Sequence, residues 1–336
     1  MILSIIIPIY NNAKPLEKLL KILTKNPIDC EIILINDGST DNSETICQMY
    51  SHMHEFIHYV KQSNMGAAAA RNNGLKIAKG KFILFLDSDD YPDENITKIL
   101  TKILAKENPV FLSFGYDLIT ENNNKIIPHF INTNFKKFDN LRDIKNNFYH
   151  YAENNELNIV WNKVFKRDVI IRNNLQFHNI RFGEDICFVC AYLEMAYGKC
   201  IFIEDILYHY VLHSESVTHK YSHQRYEDEL FSIHAIKSCA IKLKNNKNQI
   251  NNLTNLKFKK ACLYEIYNLA TINCPLNLAE KNNRLKNLYY DFNKQEIIIT
   301  LCKDIHFSLK EQIILYFLFK KQFWLILIYI ELKRRI

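Results

Sequence analysis

The sequence predicts an α/β chain built on a mostly parallel sheet. Three observations carry this: apolar runs of strand length recur, each run closes in a polar turn, and each turn leads into a helical pattern. Leu3 to Ile9 closes in Tyr10, Asn11 and Asn12, and Glu31 to Asn36 closes in Asp37, Gly38, Ser39 and Thr40. His58 to Lys61 gives a short third strand, and Phe82 to Leu86 a fourth that ends abruptly in Asp87, Ser88, Asp89 and Asp90. Four such units within about ninety residues imply right-handed crossovers, so the carboxyl ends of the strands share one rim.

The helices between them have their own signals. Pro15 suits a first helical turn ahead of Leu16, Leu19, Leu20 and Leu23. Asp41 and Glu44 stand at capping-box spacing. Gly66 precedes an alanine-rich helix expected to end near Gly80. Further on, Ile186, Phe188, Val189, Ala191 and Leu193 mark one or more buried faces of a helix that starts near Glu184 and Asp185.

The aspartates after the fourth strand carry the first chemical hint. An apolar run such as Phe82 to Leu86 suits a strand covered on both faces, and open α/β sheets bind ligands beyond their carboxyl ends. A hard cation prefers one or two carboxylates plus phosphate oxygens, which would make a diphosphate the third component. A solvated Asp-rich turn leading to the next helix, with Asp93 after Pro92, reads equally well from this stretch alone.

Taken together, SIIIPIYNN, EIILINDGSTDNS, the N-x-G-x-x-x-ARN run from Asn64 to Asn72 and the DxD triplet Asp87-Ser88-Asp89 resemble glycosyltransferase family 2 on a GT-A fold. The order and spacing of these motifs over residues 1 to 91 are highly specific. Trp161-Asn162-Lys163, Gly183-Glu184-Asp185 and YHYVLHSES resemble the acceptor-side elements and closing strand of that family, and nothing beyond Lys220 matches strongly. The resemblance implies a GT-A nucleotide-sugar-binding, Rossmann-like sheet in residues 1–218, divided into a nucleotide-binding half (1–91) and an acceptor half (92–218). A helical C-terminal extension is expected over 219–336.

The resemblance also implies roles. Pro8, Tyr10, Asn12, Asp37, Asn64, Gly66, Arg71, Asp87 and Ser88 would bind the nucleotide sugar, with Pro8 and Tyr10 lining the base slot and Asp37 on uracil or ribose. Asp89 and Asp87 would hold Mn2+ or Mg2+, with His213 as third ligand or, if the alignment slips, His209. Asp90 would support the loop. Trp161, Asn162 and Lys163 would bind the acceptor, Asp185 would be the general base and Glu184 its orienting partner. Each has a plainer reading: Asp37 as an Asx-turn residue, Arg71 as a surface cation, Glu184 and Asp185 as acidic residues at a helix N-terminus, the histidines as structural strand residues. Val211 stands where relatives often carry Arg after the aromatic pair, so that contact to the diphosphate would fall to another group such as Lys163, or donor preference differs.

Composition bounds the remainder. The 336 residues, 48% hydrophobic, suffice for one large domain with an appendage. Nine cysteines show no disulfide or zinc spacing, and Cys187-x-x-Cys190 lacks a partner pair, so reduced core thiols are expected. No basic region precedes the first apolar run, which argues against a signal peptide and for the cytoplasm.

The net charge of +7 is uneven, because 20 Lys/Arg stand against 10 Asp/Glu from Lys220 onward. In the segment IILYFLFKKQFWLILIYIELKRRI, Lys320, Lys321 and Gln322 break the apolar run below transmembrane length. Its Trp324, Tyr329 and Lys333-Arg334-Arg335 suit either a helix on an anionic membrane surface or a packed helix with a solvated basic end. No reading motif accompanies the charge, so nucleic acid is not an expected partner.

The expected function is inverting, metal-dependent transfer of a sugar from a nucleotide diphosphate, UDP by expectation, to a saccharide on a lipid carrier in surface-glycan synthesis. The intact Asp37, Asp87, Asp89 and Asp185 speak against a catalytically silent nucleotide-sugar-binding scaffold. WNK, GED and the absence of paired transmembrane helices speak against transfer to polyprenyl phosphate, and the missing QxxRW against a processive synthase. Residues 119 to 151, rich in Asn, Phe and Tyr, read as an acceptor loop or as a hairpin around Asn122 to Asn124 followed by a helix.

Overall fold

The computed structural model describes residues 1–120, 126–129, 139–212, 220–294 and 306–334. They form two compact units, Met1–His213 with Ser238–Asn245 and Ser214–Lys237 with Asn246–Ile336.

The first unit opens with β1 (Leu3–Ile9), α1 (Ala13–Lys25), β2 (Cys30–Asp37), α2 (Ser43–Met53), β3 (Ile57–Gln62), α3 (Ala67–Ile77) and β4 (Phe82–Phe85). β1 lies parallel between β2 and β4, with Leu3 opposite both Cys30 and Phe82, and β3 extends the sheet beyond β2. Every residue of β2 and β4 is buried, as strands covered on both faces must be. The hydrophobic stripe of α1, Leu16, Leu19, Leu20 and Leu23, packs into the same core. On α3, a Cβ at Gly74 would collide with Ile6 Cγ2, so glycine there lets the helix lie close against β1.

The sheet then changes direction. β5 (Tyr91–Pro92), α4 (Ile96–Glu107), β6 (Phe111–Thr120) and β7 (Ile126–His129) are followed by α5 (Leu141–Asn146), α6 (Phe148–Glu153) and β8 (Lys163–Lys166). After α7 (Arg167–Arg172) and α8 (Glu184–Met195), β9 (Cys200–Leu212) closes the strand order β3-β2-β1-β4-β8-β6-β9-β5. β8 runs antiparallel to both β4 and β6, and β6 pairs parallel with β9 through a register shift at Gly115. β7 pairs antiparallel with β6, which gives the hairpin reading of residues 119 to 151, with α5 and α6 after it. Residues 121–125 lie outside the described residues.

One local expectation fails. Asp41 and Glu44 form no capping box: α2 starts only at Ser43, so Asp41 Oδ1 accepts from the Ser43 N–H at 3.0 Å while Oδ2 accepts from Ala13 N–H at the start of α1. Glu44 instead pairs with Lys61 at 2.7 Å. Capping boxes occur elsewhere, at Asn140 with Asp143 and at Ser308 with Glu311. The eight described cysteines are free and buried, as expected for core thiols.

The second unit is helical. It takes the first part of α9 (Arg225–Lys242), then α10 (Lys247–Leu269), α11 (Leu278–Lys294), α12 (Leu309–Phe319) and α13 (Phe323–Arg334). Leu263, Ile266, Leu285, Leu288, Leu315 and Ile330 meet in its core. Among the described residues no helix is long and apolar enough to cross a membrane.

Candidate active site

The carboxyl ends of β1, β2, β3 and β4 meet at one rim, as parallel strands joined by right-handed crossovers must. From β1 come half-buried Pro8, exposed Tyr10 and half-buried Asn12. Asn12 Nδ2 donates to Ser88 Oγ at 2.8 Å, which ties the end of β1 to the Asp87-Ser88-Asp89 turn.

Asp37 sits at the end of β2 and is buried. Its Oδ1 accepts from Gln62 Nε2 (2.7 Å) and Met65 N–H (2.8 Å), and Oδ2 accepts from Gly66 N–H (2.8 Å). The carboxylate therefore clamps the loop that opens α3. The turn after β2 is held by its neighbour instead, with Asn36 Oδ1 accepting from Ser39 N–H at 3.0 Å. Gly38 has φ +72°, and a Cβ there would lie 2.9 Å from Asn64 N, so only glycine lets this turn pass so close to exposed Asn64.

Arg71 is the hinge point of the site. At 4% exposure it is no surface cation. Its guanidinium donates to Asp87 Oδ1 (3.0 Å), Asp185 Oδ1 (3.1 Å) and Glu184 Oε1 (3.2 Å). It also lies over the Phe177 ring, 5.3 Å from the centroid. Burial alone would lower its pKa, but Asp185, Asp87 and Glu184 outweigh that and hold it well above its ordinary value. A rigid fork of donors is what one residue needs to reach both the β4 turn and the start of α8.

Glu184 and Asp185 open α8 behind Gly183, whose φ of +87° turns the chain into the helix. One turn further along α8, Phe188 stacks on Phe177 at 4.1 Å, and Phe85 meets both edge-on. Asn72 fixes Phe177 by exchanging two 2.8 Å hydrogen bonds with its backbone. The side chains of Glu184 and Asp185 are themselves largely buried, at 18% and 14% exposure. Burial raises Asp185 to about 7, with Arg71 opposing and Glu184 and Asp87 adding to the rise. Burial raises Glu184 too, against the pull of Arg71. Three carboxylates around one guanidinium leave a site with a surplus of negative charge when all are ionised.

Asp87 gives one oxygen to Arg71 and is partly exposed, as is Asp89. Among the described residues no group of three or more His, Cys, Asp or Glu is arranged to hold a metal ion. Two carboxylates facing a ligand rim nonetheless form a hard-oxygen donor set of the kind a divalent cation shares with phosphate oxygens, so the residues fit the cation. Asp90 is different. It is buried, its Oδ2 accepts from Tyr208 O–H at 2.8 Å, and its Oδ1 accepts from Val211 N–H at 2.7 Å. It pins the turn to β9, and burial followed by its neighbours Asp89 and Asp87 raises it to about 9. Val211 thus contributes through its backbone. His209 Nδ1 lies 2.7 Å from Asp117 Oδ1, and its ring packs on Tyr91. His213 lies outside the described residues.

Trp161, Asn162 and Lys163 lie beneath the rim rather than on it, at 4%, 1% and 0% exposure. Trp161 is stacked on Tyr208 (4.5 Å) and Tyr210 (5.6 Å), with Tyr116 edge-on. Lys163 Nζ donates to Asn162 Oδ1 at 2.7 Å; burial lowers its pKa to about 8 although Glu156 and Asp185 pull it up. Gln62, Phe177 and Tyr208 shape the site without having been singled out in the sequence. Tyr208 stands in the YHY aromatic pair, which was a usable signal, whereas a lone Gln or Phe between loops carries none.

The Glycosyl transferase family 2 signature matches residues 4–170. "Glycosyltransferase GlyA" of Streptococcus pneumoniae is 30% identical over 221 residues, which are 64% of this chain and 31% of that protein. "Cholesterol galactosyltransferase" of Borreliella burgdorferi is 32% identical over 216 residues, 61% of this chain and 58% of its own. The chain thus spans only about a third to somewhat over half of these relatives. Among solved structures, Staphylococcus aureus TarS 1–349 in complex with UDP-GlcNAc superposes with a TM-score of 0.61 at 18% identity, covering 99% of this chain and 90% of that one. At that identity the likeness is one of fold.

Proposed function

The chain belongs to glycosyltransferase family 2 on a GT-A-like fold, and from that premise we propose that it transfers one sugar, with inversion, from a nucleoside diphosphate donor to a saccharide acceptor. The carrying observation is Arg71, which joins Asp87 of the DxD turn to the Glu184–Asp185 pair within hydrogen-bond reach. A donor-side carboxylate and a candidate base therefore belong to one cluster.

In this reading Pro8 and Tyr10 line the base slot of a UDP moiety. Asn12 and Ser88 hold the rim, and Asp37 shapes the Asn64–Gly66 loop around the ribose. Asp185 accepts the proton of the acceptor hydroxyl as that oxygen attacks the anomeric carbon, and Glu184 orients it or the acceptor. A Mn2+ or Mg2+ ion held by Asp89 and Asp87 would supply Lewis-acid neutralisation of the departing diphosphate. Trp161, Asn162 and Lys163 serve the acceptor from below, by setting the Tyr116 and Tyr210 rings and the electrostatics at Asp185.

The setting we infer is surface-glycan synthesis on a lipid-borne acceptor. The name of the Borreliella relative, a cholesterol galactosyltransferase, supports a lipid-borne substrate. Calorimetric titration of UDP in the presence of Mn2+ tests the donor side. Asp89→Ala should weaken UDP binding and abolish transfer while the melting temperature stays unchanged, and turnover retained under chelation would overturn the cation assignment. A folded protein that binds UDP yet transfers nothing to any acceptor would favour the silent scaffold.

A further inference from the structure

We propose that the α12–α13 hairpin of the helical unit is a docking surface for an anionic lipid bilayer, with one face of α13 packed into the unit and the other inserted among lipid. The proposal does not depend on the sugar-transfer reading.

Residues four apart share a helix face. On α13, Ile326 and Ile330 are buried in the helical core, while Trp324, Ile328 and Leu332 are 60%, 50% and 57% exposed. The exposed stripe is continuous with Leu278 of α11 across a shallow apolar cleft of about 340 Å3. On the α12 side a second cleft of about 300 Å3 runs between Leu309 and Ile313, both exposed, and Leu325 and Tyr329. Isolated exposed apolar side chains need no explanation, but a stripe with adjoining apolar clefts does.

The charge around the stripe indicates what covers it. Lys310, Lys320, Lys321 and Lys333 flank the hairpin, and among the described residues none of them forms an ion pair. Each instead lays its ammonium near a ring: Lys310 on Tyr329, Lys320 on Tyr316 and Phe319, Lys321 on Tyr289, Lys333 on Tyr267. Glu331, the acidic residue beside the stripe, is paired with buried Lys281 at 2.8 Å. An apolar face with a Trp at its edge and a fringe of uncompensated lysines on long stems matches the acyl and headgroup layers of an anionic membrane. The same lysines would meet each other across an interface between two copies.

Vesicle co-sedimentation of the full chain tests this, using phosphatidylcholine vesicles with and without phosphatidylglycerol. The folded protein should bind the anionic vesicles, bind neutral ones weakly, and release as salt is raised. Lys320→Gln with Lys321→Gln should lower affinity for anionic vesicles by roughly 30-fold. Trp324→Ser, Ile328→Ser and Leu332→Ser together should lower it by roughly 100-fold without lowering the melting temperature, since none of these side chains is in the core. Absence of vesicle binding by folded wild-type protein overturns the proposal. So does indifference to either set of substitutions, and so do dimers, seen by sedimentation, that the triple variant disperses in the absence of any lipid binding.

Discussion

At the scale of single residues, Arg71 and Asp185 illustrate how burial and charge divide the work. Burial raises the pKa of Asp185 to about 7, while Arg71 opposes the rise. A carboxyl raised in this way is protonated below that pH and cannot accept the acceptor's proton. Turnover should therefore fall as pH drops below about 7, with donor affinity changing less, which a pH profile of kcat beside calorimetry of UDP checks. Arg71→Lys keeps the charge but loses the fork that spans Asp87, Glu184 and Asp185. The expected result is a loss of turnover of about 100-fold from misplacement, with the acid limb of the profile moved to higher pH as the counter-charge weakens. The motifs name Asp87, Asp185 and Arg71 as candidates, and the structure brings the three together. Their mutual bonds were not legible in the sequence, since 114 positions separate Arg71 from Asp185. Nor was the burial of Trp161, Asn162 and Lys163, because a motif marks neighbourhood and not which atoms reach the surface.

At the scale of elements, periodicity carried the reading well. The strands at Leu3, Glu31, His58 and Phe82 emerge within one residue of where apolar runs and turns put them, while α3 ends at Ile77, three residues short of Gly80. Asp41 with Glu44 shows the limit of a spacing rule, because the same carboxylate can cap its own helix or reach a neighbouring one, and here Ala13 N–H competes for it. The antiparallel insertion of β8 between β4 and β6 had no sequence signal at all, as pairing partners separated by about eighty residues are chosen by packing. Gly74 marks the closest fit between elements. Gly74→Val should drive the helix off β1 at Ile6 and destabilise the protein by about 1–3 kcal/mol, read as a lower denaturation midpoint in urea.

At the scale of the whole molecule, the motifs stop near Lys220 and an excess of basic residues begins there, so the sequence sets a motif-bearing part against a basic remainder. It left the fate of the last helices open between packing and lipid, and the structure shows why both readings had grounds: α13 is apolar on more than one face. The two faces should respond differently to substitution. Leu315→Ala, in the core of the helical unit, should cost about 2–5 kcal/mol and lower the melting temperature of the full chain, whereas Trp324→Ser should leave it unchanged.

The central claim is sugar transfer from a nucleotide donor with Asp185 taking the acceptor proton, and nucleoside diphosphate release tests it most directly. Wild-type protein and Asp185→Asn would be compared side by side against a panel of UDP- and GDP-sugars, each offered with saccharide acceptors and Mn2+. The account predicts acceptor-dependent release from one class of donor by the wild type and a rate lower by roughly 100-fold or more in Asp185→Asn, whose donor affinity is nearly unchanged. Equal release by the two proteins would contradict the role given to Asp185, and folded wild-type protein that releases nothing from any donor would contradict the function itself.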